Sequence, residues 1–170
     1  VFVPEHIKFY TNLSAGLRPL PEADLVRIAK ETKLMVRPIG IGSSLVEARV
    51  VTDPAQVGDS QVKLLKPLAG HLAKLDLRNT AITERSLVEI ANFSKLTELN
   101  LRGTKIGDSG LSKVSRLATL QKLNLCETEV SDKGLGWLKK SKSLTQVFLW
   151  GTRVSPEGQR QIANVLAPRQ

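Results

Sequence analysis

Leu72, Leu96, Leu120 and Leu144 stand 24 residues apart, and each opens the same phrase. Written out, the units are LAKLDLRNTAIT, LTELNLRGTKIG, LQKLNLCETEVS and LTQVFLWGTRVS, a pattern L-x-x-L-x-L-x-x-T-x-[IV]. Within each unit Leu75 and Leu77, Leu99 and Leu101, Leu123 and Leu125, and Val147 and Leu149 alternate with polar residues. A period of two places them on one side of a strand. The apolar spacing then becomes helical, through Leu87, Ile90 and Phe93, through Leu111, Val114 and Leu117, through Leu135 and Leu138, and finally through Ile162 and Val165. A unit this short cannot bury a strand face and a helix face by itself, so the copies must stack on one another.

The predicted fold class is therefore α/β: a leucine-rich repeat solenoid, with parallel strands on a concave face and short helices on a convex face. Thr83, Ser131 and Ser155 stand where helix N-caps belong, and Pro156 follows at the first helical position. Upstream the repeat weakens: Val57, Val62, Leu65 and Leu68 match Ile106, Leu111, Val114 and Leu117 after one extra residue, with a strand expected over 45–51. Leu25, Ile28 and Leu34 have the spacing of Leu111, Val114 and Leu120, which suggests a degenerate first unit acting as a cap. Gly40, Gly42, Ser43 and Ser44 mark a loop, and residues before Gly16 read as a tail or linker. The expected division is a tail and capping unit over 1–44 and a leucine-rich repeat domain over 45–170, with clear repeats from 72.

A chain of 170 residues has the size of one domain and needs no disulfide or metal to hold a core. Its net charge of +9 is uneven: from Lys133 onward seven basic residues face the single acid Glu157, which accounts for six of the nine charges. Such an excess permits an acidic partner, but a lysine-rich convex face kept soluble by its charge is the favoured explanation. Cys126, the single cysteine, excludes an internal disulfide. No apolar run reaches the roughly 18 residues of a membrane span, and VFVPEHIKFYTN lacks the plan of a signal peptide. Starting at Val1 without methionine, the chain reads as part of a longer protein.

Little in the sequence points to catalysis. His6 and His71, the two histidines, fall in different structural units, so neither a metal pair nor a Ser-His-Asp arrangement is indicated. GIGSS at 40–44 lacks the lysine of a phosphate-binding loop. Thr80, Thr104, Thr128 and Thr152 recur without a matching row of bases, and their hydroxyls are expected to bond to backbone groups of the turns. No catalytic residue, metal site or cofactor is expected.

The strand alternation turns the residues between the inward leucines toward the concave side. One column is Lys74, Glu98, Lys122 and Gln146, the next Asp76, Asn100, Asn124 and Phe148, and the third Arg78, Arg102, Cys126 and Trp150. The face is polar and basic at one end and aromatic at the other. In a chain with seven aromatic residues, two on the open face call for a cover. Either the tail after Ile162 folds over them, or they form a contact surface of the kind Trp and Arg anchor. The candidate binding surface is Arg78, Arg102, Asn124, Cys126, Phe148 and Trp150, and its expected partner is a protein or another domain of the parent chain. Trp137 is expected to be a partly buried packing residue. Nucleic acid ranks below these, because stacking rings occur at one end only.

VFLWGTRVSPEG, the T-x-[IV]-[ST]-[DP]-x-G pattern and the upstream KLMVRPIGIGSSLVEARVV resemble the C-terminal repeat module of envelope-associated c-type cytochrome proteins of planctomycetes and verrucomicrobia. Ribonuclease-inhibitor-like proteins share the architecture more distantly. The cytochrome resemblance implies a haem-bearing, often membrane-embedded portion before this module, and a place on the outer side of the cytoplasmic membrane. Neither Cys-x-x-Cys-His nor a membrane helix occurs in this chain, so any haem would be carried outside it.

Overall fold

The computed structural model describes residues 5–166, with side chains from 8 to 163. The side chains of His6 and Val165 and the part of the tail beyond 166 lie outside these. Six strands form one sheet in sequence order: β1 (Met35–Pro38), β2 (Val46–Arg49), β3 (Leu72–Asp76), β4 (Glu98–Asn100), β5 (Lys122–Asn124) and β6 (Gln146–Phe148). From β2 onward they are parallel, and Leu75, Leu99, Leu123 and Val147 sit side by side in register. On the other side lie α3 (Asp59–Lys63), α4 (Ser86–Ile90), α5 (Leu111–Val114), α6 (Asp132–Leu138) and α7 (Pro156–Leu166), preceded in the chain by α1 (Glu5–Leu13) and α2 (Glu22–Thr32). The inward leucines of β3 to β5, the helix residues Ile90, Val114 and Leu138, and Phe93 just beyond α4 make one continuous buried core. This is the leucine-rich repeat solenoid that the 24-residue period requires.

The N-terminal end departs from the expected degenerate repeat. Helix α2 buries Leu25 and Ile28 as anticipated, but β1 runs antiparallel to β2, with Met35 opposite Arg49 and Pro38 opposite Val46. The seven residues between the two strands are too few for a parallel crossover, which takes roughly a dozen or more. They close a hairpin. Nor are the residues before Gly16 a tail throughout, since Glu5–Leu13 is helical and Leu13 is buried against Leu45 and Ala73.

Between repeats, a carboxylate of one turn accepts hydrogen bonds from the next. Asp59 accepts the N–H of Thr83 at 2.8 Å and its hydroxyl at 2.7 Å, and Asp108 accepts the N–H of Ser131 at 2.7 Å and its hydroxyl at 2.6 Å. Asp132 takes the N–H of Ser155 at 2.9 Å, and Glu84 that of Gly107 at 3.2 Å. Allowing for the one extra residue upstream, Asp59, Glu84, Asp108 and Asp132 are the same position of successive repeats. This ladder explains the glycine that closes T-x-[IV]-[ST]-[DP]-x-G. A Cβ on Gly134 would stand 2.5 Å from Asp108 Oδ1, and one on Gly158 would collide with Asp132.

The threonine row is structural, as its spacing suggests: the hydroxyls of Thr80, Thr104, Thr128 and Thr152 each donate to the carbonyl three residues earlier at 2.6 Å. The residue before each threonine has a positive φ, and Asn79, Gly103, Glu127 and Gly151 fill that place. Glu127, at φ 57°, is the one long side chain there. Of the expected caps, Ser131 accepts from Lys133 N–H, Ser155 from Gly158 N–H and Thr83 from Arg85 N–H. Thr83 thus caps the turn leading into α4, which itself begins at Ser86.

Removing Leu101, fully buried at the centre of the array, should cost about 2–5 kcal/mol as Leu101→Ala. Asn124→Ala, which loses one bond from Cys126 N–H to Asn124 Oδ1 at 2.9 Å, should cost about 0.5–1.5 kcal/mol. Chemical denaturation of both variants checks the inward and outward assignment, which equal losses would contradict. The ladder has a pH signature. Partial burial pushes the Asp59 carboxyl up, but the hydroxyl of Ser86 and the N–H and hydroxyl of Thr83 outweigh it and hold it below its ordinary range. Its contribution is full above the unfolded-state pKa of about 4 and is lost as pH falls through the lower folded value. Asp59→Asn should therefore flatten the acid limb of stability against pH, with denaturation curves of variant and parent converging at the acid end.

Candidate functional site

The concave face is built by the alternation that places its columns, and the structure brings those columns into rows. Lys74, Glu98, Lys122 and Gln146 are neighbours in register, as are Asp76, Asn100, Asn124 and Phe148. A shallow depression of about 360 Å³ runs across them, lined among others by Arg49, Lys74, Asp76, Glu98, Lys122 and Phe148.

Much of the polar chemistry on this face is already engaged. Asp76, Asn100 and Asn124 turn a side-chain oxygen back to accept the N–H of Arg78, Arg102 and Cys126 at 3.1, 3.1 and 2.9 Å. These side chains shape the exit from each strand. Arg78 Nε also donates to Asp76 Oδ2 at 2.9 Å, and Arg102 pairs with Glu127 at 2.8 Å; each carboxylate raises the pKa of its arginine. The two arginines therefore present charge that is locally balanced. Partial burial pushes the Lys74 pKa down, but Glu98, paired with it at 3.0 Å, and Tyr10 together outweigh that and raise it. Lys122, one strand further along, is exposed.

A contribution missed from the sequence comes from α1. Tyr10 reaches the rim of the sheet, where its hydroxyl donates to Glu98 at 3.4 Å and its ring lies 5.6 Å beneath the Lys74 ammonium. Phe9, Tyr10 and Leu13, at helical spacing, were the signal for it.

At the other end, Phe148 is 49% and Trp150 72% exposed. Phe148 lies beside Asn124 in register, and the Trp150 carbonyl accepts the N–H of Glu127, which sets Trp150 alongside the half-buried free thiol of Cys126. Helix α7 buries Ile162 against the core, yet among the described residues nothing covers the Trp150 ring. Trp137 on the convex side is 40% exposed, more open than a packing role implies, and the Lys140 ammonium sits 4.4 Å from its ring centre. Lys139 donates to Gln161 on the same side. Among the described residues no group of His, Cys, Asp or Glu is arranged to hold a metal ion, and no helix is long and apolar enough to cross a membrane.

A Leucine Rich repeat profile matches residues 94–115, the unit around β4. No curated protein matches the chain. Among solved structures, the chain is similar to the Leiomodin-1 Actin-Binding Site 2, at 17% identity and a TM-score of 0.58, over 86% of this chain and 87% of that one. It is also similar to an internalin from Listeria monocytogenes, at 22% identity and a TM-score of 0.47, over 62% of this chain and 30% of that one. The chain thus spans under a third of the internalin's length. At such identities the likeness to leiomodin concerns the fold.

An exposed ring contributes little to folding, so Trp150→Ala should change stability by no more than about 0.5 kcal/mol. A buried ring would cost about 3–5 kcal/mol. Thermal melting of the isolated variant decides between a contact residue and a hidden cap.

Proposed function

We propose that this chain is a non-catalytic interaction module whose concave face binds a protein, or packs against another domain of its own parent chain. The observation that carries this is the change of chemistry along the face. Inner strands spend their outward polar groups on bonds within the module, whereas the last strand presents Phe148 and Trp150 to solvent. Large exposed aromatics beside the half-buried Cys126 make the kind of anchor that protein interfaces favour. The leucine-rich repeat fold supports the class of function by analogy.

The resemblance to the repeat module of envelope c-type cytochrome proteins makes a haem-bearing portion of the parent chain one concrete form of that second domain. On this reading the module sits on the outer side of the cytoplasmic membrane, with the haem held outside this chain. Fractionation of the native organism checks that placement.

Affinity capture from the native organism, using the parent chain, Lys122→Glu, Phe148→Ala and the convex variant Lys140→Ala, tests the surface. A protein retained by the parent and by Lys140→Ala, and weakened about 30-fold or more by Phe148→Ala, is the expected result, since a hot-spot residue contributes about 2 kcal/mol or more. Retention that depends on Lys140 and ignores both concave variants would move the interface to the other face. A hydrolase or transferase activity that copurified with the chain and vanished on concave substitution would replace the binding reading with an enzymatic one.

A further inference from the structure

We propose that the open edge of β6 takes up an extended, acidic peptide segment of a partner protein as one more strand of the sheet. This surface adjoins the concave one and depends on the same reading of the chain as a binding module.

Strands β3, β4 and β5 hand their backbone to the next strand by the same bonds. The N–H groups of Leu77, Leu101 and Leu125 donate to the carbonyls of Asn100, Asn124 and Phe148 at 2.9 Å each. Those of Asn79, Gly103 and Glu127 donate to Arg102, Cys126 and Trp150 at 2.7, 2.9 and 2.8 Å. In return, the carbonyl of Thr97 accepts from Gln121 and Lys122, and that of Gln121 from Thr145 and Gln146. In the last repeat the equivalent groups are the N–H of Leu149, the N–H of Gly151 and the carbonyl of Thr145. They face outward along β6, and among the described residues no strand lies beyond it. An unpaired parallel edge of this kind is a template for strand addition.

Side chains at this edge are ready for apolar contact. A groove of about 550 Å³ lies between β6 and α7, lined among others by Phe148, Leu149, Trp150, Ile162 and Ala163. Side chains of an added strand alternate between two faces, so one set would enter this groove and the other would lie beside the rings of Phe148 and Trp150.

Two features select the occupant. A further repeat of the same kind is disfavoured, because the ladder position that holds the next turn through Asp59, Glu84, Asp108 and Asp132 is Pro156 here, with no carboxylate to offer. A second copy pairing edge to edge is disfavoured by charge: Lys133, Lys139, Lys140, Lys142 and Arg153 belong to the last two repeats, and Glu157 offsets none of them because it is paired with Arg160 at 2.9 Å. Two such ends would repel. The same excess attracts a segment that carries acids beside its apolar residues.

The test uses the full chain and an acetylated, amidated peptide of about eight residues, an ordinary strand length, with alternating valine and threonine flanked by glutamates. Two controls replace its glutamates by lysines or methylate alternate backbone nitrogens. The acidic peptide should slow amide exchange at Leu149 and Gly151 about tenfold or more. Both controls, and the Trp150→Ala chain, should bind about tenfold more weakly. No protection of these amides at about 1 mM peptide, a level that detects even weak complexes, would overturn the proposal. So would equal binding of the N-methylated peptide, which would reduce the contact to charge. Perturbation confined to the concave side chains of β3 to β5 would also overturn it while leaving the concave reading intact. Conversely, edge protection in a chain whose captured partner ignores Lys122→Glu and Phe148→Ala would remove the concave reading alone.

Discussion

No single turn of this coil can bury its own leucines, so every turn is held in place by its neighbours. On the concave side the hold is the parallel ladder that aligns Leu75, Leu99, Leu123 and Val147. At the turns leading into α4 to α7, it is a carboxylate of one repeat accepting the backbone N–H of the next. The two corners together fix the translation between turns, and the rest of the unit adapts to it. Gly110, Gly134 and Gly158 are small because the preceding repeat's acid or leucine occupies the space a Cβ would need. In the first clear repeat Ser86 stands at that position, and its hydroxyl joins the bonds to Asp59.

Dependence on neighbours makes the two ends of the array chemically different from its middle and from each other. At the N-terminal end a hairpin pairs β1 with the first parallel strand, and α1 and α2 cover apolar surface through Leu13, Leu25 and Ile28. That end is closed. At the C-terminal end β6 is the last strand, and Val147, Leu149 and Val154 are more exposed than their inner counterparts Leu123, Leu125 and Val130. The outward positions change accordingly, with Phe148 where Asn100 and Asn124 stand and Trp150 where Arg102 stands. A polar side chain that folds back to its own backbone is thereby replaced by a ring that cannot, and the surface becomes available to another molecule.

The middle of the concave face is less available than its composition implies. Arg78 and Arg102 are each tied to a carboxylate, and Asn124 accepts from Cys126, so three of the six candidate residues already have partners in the module. The basic excess of the C-terminal part of the chain lies mainly on helices and turns, with Lys140 over Trp137 and Lys139 on Gln161. Charge and aromatic surface therefore sit at the same end of the solenoid.

The repeats could be read from the chain because their information is periodic: a two-residue alternation and a helical spacing recurring every 24 residues specify strand, helix and the direction of each leucine. The threonine row and the two concave columns through Lys74 and Asp76 follow from the same count, and they stand where it puts them. What lacks a period could not be counted. The antiparallel turn of β1 depends on a short connection between two strands, and the seating of α1 on Leu45 and Ala73 depends on contacts across more than thirty residues of chain. The pairing of Arg102 with Glu127 joins adjacent turns, and so does the use of Asp59, Asp108 and Asp132 as struts. Those choices are made when turns stack, because a hydrogen bond between residues 23 to 25 positions apart exists only after the coil has closed one full turn.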